Sequence, residues 1–366
     1  MHPGVDTPAL VVDLEVVERN LARMQRQADQ LGVALRPHTK THKIPELARM
    51  QLQAGAAGIT VAKLGEAEVM ADAGIDDIFI AYPVVGEQKV RRLLALARRV
   101  RVSFAPDSLE SARVVSDAAH AQGLVIPALL EVDTGLRRCG VPWGEPAAEL
   151  AQRLAALPGI TLRGISTHEG HGYQAGEPDE VSAAAREAGR QMVDTAARIR
   201  ARGVDISVVS VGATPTAAHT GRVSGITEMR PGTYVFNDRS QLRHGTASLA
   251  DCAAVVVTTV VSVPAPGRAV VDAGSKALSS DGVLHRGAEG GHGLVLGARG
   301  WILARLSEEH GVLTAGPDAE PLHVGQRLGL VPNHICPCVN LFDEVTCVRG
   351  DQRVGTWRVA ARGCMR

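Results

Sequence analysis

The sequence predicts an α/β protein in which a (β/α)8 barrel of the TIM type is followed by an antiparallel β domain. Three observations predict it. Short apolar runs that end in polar or glycine residues alternate with stretches of helical period, and eight such runs can be counted before residue 240. The alternation then stops, and turn glycines and prolines separate β-rich segments such as CAAVVVTTVVSVPAPGRAVVDAG and GQRLGLVPNHICPCV. At 366 residues the chain exceeds the common single-domain size, so a barrel with an addition is a natural division. The expected boundaries are 12–240 for the barrel and 241–366 for the β domain, the latter completed by a strand at 5–11.

The barrel strands read as ALRPHTK (34–40), GITVAK (58–63), DIFIAY (77–82), VRVSFA (100–105), VIPALLEVDTG (125–135), LRGISTHEG (162–170), ISVVSVGATPT (206–216) and the short, polar TEMRPG (227–232). The first helix shows an apolar face at Val17, Leu21, Met24, Ala28 and Leu31.

Charge narrows the function. Lys plus Arg and Asp plus Glu both number 39, and there is no basic or acidic block, which gives no electrostatic reason for nucleic acid or anionic lipid as a partner. A small neutral or zwitterionic ligand fits better. The N-terminus lacks a cationic region followed by an apolar run, and no apolar stretch reaches the roughly 18 residues of a membrane span, so the expectation is a soluble cytoplasmic protein. Without a leader, six cysteines in so long a chain read as reduced thiols.

In a barrel of this kind chemistry sits at the carboxyl ends of the strands. Lys40 ends the first run, where partial desolvation favours the neutral amine that forms a Schiff base, although most lysines are simply solvated charges. His38 shares its face by strand alternation; which of His38 and His42 touches a ligand stays open. Arg138 follows the glycine turn of DTGLRR and offers a forked donor to an anionic oxygen, or a surface salt bridge. The turn GATPT carries N–H groups and hydroxyls suited to a phosphate, and a phosphate site after strands seven and eight is common in this fold. His168 and His171 end the sixth run; either an acid–base role or a hydrogen-bonded wall suits them. Outside the barrel, alternation along an extended PNHICPC brings His334 and Cys336 to one face, where an imidazole and a thiolate can share an ion and leave coordination positions open. That donor set favours zinc over magnesium or calcium. Cys338 could be a third ligand or a packed thiol.

Taken together, DTPALVVDL, RPHTKTHK, DTGLRRCGV, SVGATPT, RPGTYVFND, VDAGSK and VPNHICPCVNLFD resemble the D-threonine aldolase and D-serine dehydratase family, in order and over nearly the whole chain. That family consists of fold-type III pyridoxal-phosphate enzymes related to alanine racemase. The resemblance implies pyridoxal 5′-phosphate held by Lys40 and not Lys43, its phenolic oxygen on Arg138, and its phosphate on Gly212, Ala213, Thr214, Gly232 and Tyr234. It implies a homodimer, a divalent metal (zinc, or manganese as in the aldolases), and a lyase acting on D-3-hydroxy amino acids. Cys336 stands where aldolases tend to carry aspartate, which points to D-serine dehydratase-type elimination of water; retro-aldol cleavage to glycine and an aldehyde is the alternative. An amino-acid racemase would share the barrel and lysine without needing His334 and Cys336. A non-catalytic carrier of the cofactor would need only the barrel.

Overall fold

The computed structural model describes residues 4–174, 178–281 and 290–366. Part of the expected β domain, residues 282–289, therefore lies outside the described residues. The described residues fall into two compact units. One comprises 23–40, 47–232 and 363–366; the other comprises those of 1–22, 41–46 and 233–362.

In chain order the strands begin with β1 (Ala9–Asp13), β2 (Ala34–Leu35), β3 (Ile59–Val61), β4 (Asp77–Ile80), β5 (Arg101–Phe104), β6 (Ile126–Asp133), β7 (Val141–Pro142), β8 (Ile160–Ser166), β9 (Val208–Val211) and β10 (Glu228–Met229). Strands β2 to β10 build the first unit. Apart from β7, which pairs with β6, they form a parallel sheet in the order β2-β10-β9-β8-β6-β5-β4-β3. A parallel bridge between His38 and Thr60 joins the two ends of that order, curling the sheet into a TIM-like barrel. All eight predicted runs carry one of these strands. The first is shorter than its sequence suggests: β2 ends at Leu35, Pro37 cannot donate to a ladder, and Thr39–Thr41 form a 3₁₀ turn. Amphipathic helices follow the strands. Leu14–Leu31 is the longest before the barrel begins, and its Val17, Leu21, Met24 and Ala28 are buried as the periodicity predicts.

The barrel interior is polar where hydrocarbon is commonplace. Arg36 donates to Asp77 Oδ1 at 2.5 Å and to Glu228 Oε2 at 2.8 Å. Glu228 Oε1 in turn accepts Ser210 Oγ at 2.5 Å, and Ser210 accepts Arg230 Nη1. Arg230 also donates to the Thr167 carbonyl at 2.6 Å and lies 5.5 Å from the Phe79 ring centroid. Between the neighbouring strands β8 and β6, Ser166 donates to Glu131 at 2.6 Å. These pairings lower the cost of burying charge, and they hold the inward side chains of β6, β8, β9 and β10 in fixed positions.

The second unit is a mixed sheet of β1, β11 (Ala254–Ala265), β12 (Arg268–Val271), β13 (Gly293–Leu296), β14 (Trp301–Leu306), β15 (Gly311–Ala315), β16 (Arg327–Pro332), β17 (Glu344–Arg349) and β18 (Gln352–Arg358). Its hairpins are antiparallel, as the turn-rich sequence predicts, with one exception: β1 runs antiparallel to β11 and parallel to β17. A strand delivered from the far end of the chain has no hairpin to fix its direction. Asp272 ties this region together, accepting from Thr7 Oγ1 at 2.6 Å, Thr258 Oγ1 at 2.5 Å and the Thr259 N–H at 2.9 Å.

Candidate active site

The carboxyl ends of the barrel strands surround a cavity of 560 Å³, the size range of cofactor sites. Lys40, His38, Arg138, His168 and Gly212 all line it. Ala213 and Thr214, 4 % and 7 % exposed, continue the turn that Gly212 begins. Gly232 ends the barrel unit, and Tyr234, in the buried turn Thr233–Val235, belongs to the other.

Local sequence explains each position. Lys40 follows the His38 bridge on the 3₁₀ turn, and its N–H reaches His38 Nδ1 at 3.4 Å. Arg138 is presented by the Asp133-Thr-Gly turn: Asp133 Oδ1 accepts the N–H groups of Gly135 at 2.8 Å and Arg137 at 3.1 Å, and Arg137 takes φ 57°. Gly212 has to be glycine. A Cβ there would sit 2.8 Å from the Cβ and backbone N of Arg230. Its peptide is clamped from two consecutive residues, because His168 Nδ1 donates to its carbonyl at 2.6 Å and Glu169 Oε2 accepts its N–H at 3.0 Å. The carbonyl can only accept, so His168 carries its proton on Nδ1.

The cavity is cationic. Lys40, Lys63, Lys89, Arg138 and Arg230 face it against the single carboxylate of Glu131. Burial, then the charges of Lys40, Arg230, His168 and Arg138, hold His38 well below the ordinary histidine range. Burial and Lys40 likewise push His168 down to about 3, against its hydrogen bond to Gly212. Both imidazoles are neutral near pH 7. Burial raises the Glu131 carboxyl, opposed by Arg230 and the Ser166 hydrogen bond. Lys63 Nζ lies 3.5 Å from the centroid of the Tyr82 ring.

The residues fit pyridoxal phosphate: an amine within a cavity of suitable volume, guanidinium groups for anionic oxygen, and a turn whose start cannot tolerate a Cβ. His42 and His171 are not among the residues that line the cavity. His42 is buried, accepts the Ile44 N–H at 3.0 Å and meets Phe236 edge-on. The His171 ring packs over Gly135.

In the second unit, PNHICPC is not a continuous extended segment. His334 is extended, with φ −139° and ψ 109°, and Ile335–Val339 form a short helix, because the Ile335 N–H finds a cap in Asp238 Oδ2 at 3.0 Å. Strand alternation is therefore replaced by a helix start. His334 Nδ1 lies 2.8 Å from Asp281 Oδ2, and Cys336 Sγ lies 3.3 Å from Thr41 Oγ1. Burial works against protonated His334, but the charge of Cys336, a hydrogen bond to it, Asp281 and Asp238 outweigh burial and raise it to about 9. Cys338 points elsewhere, is fully buried, and donates to the Ala277 carbonyl at 3.1 Å, as a packed thiol does. Among the described residues no group of three or more His, Cys, Asp or Glu is arranged to hold a metal, so His334 and Cys336 stand as a pair. All six cysteines are unbridged.

Arg230, Glu131, Glu169, Asp238 and Asp281 are site residues that the sequence reading passes over. Two signals were present. Glu131 interrupts an apolar run in ALLEVD, and Glu228 and Arg230 share one face of a run by period two.

An alanine-racemase-like barrel with a lysine in a cationic cavity defines a pyridoxal-phosphate enzyme of fold-type III. Residues 12–240 match the family of the alanine racemase N-terminal domain, and residues 253–348 match a serine dehydratase domain. The chain belongs to that family, in the group of D-threonine aldolase and D-threo-3-hydroxyaspartate dehydratase. It is 36 % identical to D-threonine aldolase of Arthrobacter sp., over 99 % of this chain and 94 % of that one. The crystal structure of D-threonine aldolase from Filomicrobium marinum is similar with a TM-score of 0.91 at 36 % identity, covering 99 % of this chain and 97 % of that chain. D-threo-3-hydroxyaspartate dehydratase from Delftia sp. HT23 has a TM-score of 0.90 at 35 % identity, with 97 % of each chain covered. A D-threo-3-hydroxyaspartate dehydratase has also been solved as a His-to-Ala mutant and as a Cys-to-Ala mutant in the metal-free form, the two mutated positions being two residues apart.

Proposed function

We propose that this protein is a metal-assisted pyridoxal-phosphate lyase that eliminates water from D-3-hydroxy amino acids, giving a keto acid and ammonia. The lyase class follows from the family. Dehydration rests on one observation: His334 and Cys336 are separated as are the histidine and cysteine mutated in D-threo-3-hydroxyaspartate dehydratase, whose cysteine mutant was solved in the metal-free form.

Lys40 holds the cofactor through its amine, Arg138 donates to the phenolic oxygen, and Gly212, Ala213, Thr214, Gly232 and Tyr234 hold the phosphate. Bound pyridoxal phosphate supplies an electron sink for negative charge at the substrate Cα. With the cofactor bound, the Lys40 amine, which faces the cavity, would be the group that takes the proton from the substrate Cα. His38 and His168, held neutral by burial, act as walls: His168 fixes the Gly212 carbonyl and His38 the Lys40 N–H. His334 and Cys336 would hold a divalent ion, zinc by the softness of the thiolate, with manganese the other candidate. Such an ion supplies a Lewis acid for the substrate's 3-hydroxyl. Asp281, accepting at His334 Nδ1, leaves Nε2 for the ion.

The second reading, cleavage to glycine and an aldehyde, is favoured by the 36 % identity to D-threonine aldolase. The reading extends to a cytoplasmic homodimer, as the family resemblance implies; no helix among the described residues is long and apolar enough to cross a membrane. Product analysis with D-serine, D-threonine and D-3-hydroxyaspartate, before and after chelation, tests the proposal. Keto acid and ammonia are expected from at least one of them. Glycine with an aldehyde as the sole products would replace it by the aldolase reading.

A further inference from the structure

We infer that Glu169 is the positioning residue of the cofactor-phosphate turn, holding residues 212 to 216 in the shape that distinguishes a phosphorylated cofactor from its unphosphorylated form. The inference rests on the proposed assignment of Gly212 to Thr214 to the phosphate.

Glu169 is fully buried and directly follows His168, yet its carboxylate points away from hydrocarbon to three donors of one substructure. Oε2 accepts the Gly212 N–H at 3.0 Å; Oε1 accepts Thr216 Oγ1 at 2.8 Å and Thr220 Oγ1 at 3.2 Å. Thr216 and Thr220 are themselves fully buried. One side chain thus ties the first residue of the turn to its last and to the short helix that follows. The segment's own ties start at Ala213, whose carbonyl accepts the Thr216 N–H at 3.3 Å and the Ala217 N–H at 3.0 Å; the Gly212 N–H is tied by Glu169. Burying a carboxylate is costly unless its oxygens are met by donors, and here three meet them. An apolar residue at 169 would orphan the Gly212 N–H and release both threonines. Because Glu169 takes the Gly212 N–H, Gly212 serves the phosphate by lining the cavity without a side chain, and the donors come from the residues that follow it in the turn. Glu169 touches neither cofactor nor substrate in this scheme; it acts through the turn.

A positioning role makes a distinctive demand. Loss of Glu169 must weaken binding of pyridoxal phosphate while leaving that of pyridoxal, which has no phosphate, nearly unchanged. A residue that only supports the fold would weaken both or neither. The measurement is titration of full-length apoprotein with each ligand by absorbance, for wild type, Glu169→Ala, Glu169→Gln and Thr214→Asp, the last placing a negative charge in the turn. Glu169→Ala should raise the Kd for pyridoxal phosphate about tenfold or more, with pyridoxal changed by no more than about twofold. Glu169→Gln should stay close to wild type. Its amide oxygen can still accept the Gly212 N–H, and its NH₂ can donate to the threonine oxygens, whose hydroxyls have the Ala213 and Thr216 carbonyls at 3.1 and 3.0 Å to donate to instead. If Thr214→Asp selectively loses the phosphorylated ligand while Glu169→Ala affects both ligands equally or neither, the inference is overturned and the phosphate assignment stands. Should Thr214→Asp fail to discriminate the ligands, the turn does not hold the phosphate, and the inference falls with the assignment. If Glu169→Ala does not fold, Thr216→Val carries the test: it removes the 2.8 Å bond, and an unchanged ratio of the two Kd values overturns the inference.

Discussion

Lys40 lines the barrel cavity, whereas Lys43, three residues on, takes a left-handed φ of 57° and offers its carbonyl to the Ala361 N–H at 3.1 Å. The two lysines of RPHTKTHK are thus separated by backbone conformation. Left-handed φ is uncommon for a residue with a Cβ, so the turn at Lys43 is imposed by its surroundings.

The first prediction follows from that separation. Lys40→Ala should lose the visible absorption of bound cofactor together with turnover, because its amine is the one proposed to bond the cofactor. Lys43→Ala should keep the absorption band, since Lys43 does not line the cavity. Spectra of the two purified variants after incubation with pyridoxal phosphate decide the matter, and a band lost only in Lys43→Ala would reverse the assignment.

How far the sequence carried this reading varies with the range of the interaction. Barrel strands were legible because alternation of short apolar runs with helical faces is local, and the cavity residues Lys40, Arg138, His168 and Gly212 sit at run ends where such a barrel gathers its chemistry. Arg230 was hidden because β10 is two residues long and its role depends on Ser210 and Thr167, 20 and 63 positions away. The direction of β1 against β17 was equally out of reach, being decided by packing between chain ends. PNHICPC read as extended because its helix is one turn long and is started by Asp238, 97 residues from Ile335, which no local pattern announces.

Acid should reveal His168. Its folded pKa is about 3, against 6.5 for an unperturbed imidazole, so the unfolded chain binds a proton that the folded chain refuses between those values. The stability tied to neutral His168 is complete above pH 6.5 and is lost as pH falls toward 3, at a slope of up to about 1.4 kcal/mol per pH unit. Urea unfolding of apoprotein at a series of pH values should therefore give a flatter dependence for His168→Asn than for wild type, by roughly one proton. Identical slopes would show that His168 is protonated in the fold.

Asp281 should govern metal affinity without being a ligand. It sits 2.8 Å from His334 Nδ1, the arrangement in which a carboxylate fixes an imidazole's tautomer and orientation. Asp281→Ala should weaken zinc binding about 10- to 100-fold while the cofactor spectrum is preserved. Calorimetric titration of metal-stripped protein reads this directly, and unchanged affinity would mean that His334 needs no such support.

The last prediction concerns the ion itself. Replacing His334 or Cys336 by Ala should abolish stoichiometric metal in the purified protein, as elemental analysis reports, yet leave the visible cofactor band intact, since the proposed cofactor anchor Lys40 lies in the barrel unit. Activity should fall by a factor on the order of 10² or more, the scale of losing one Lewis-acid contact worth several kcal/mol in the transition state. Chelation of the native enzyme should reproduce the defect, and zinc or manganese should then restore the native enzyme but not His334→Ala. Which ion restores best also bears on the reaction. A thiolate and an imidazole favour zinc, which fits dehydration, whereas a preference for manganese would bring the chain closer to the aldolase reading. Full activity after exhaustive chelation, with no metal found in the protein, would remove His334 and Cys336 from the mechanism and leave a racemase, which needs the barrel and Lys40 but not this pair, as the better description.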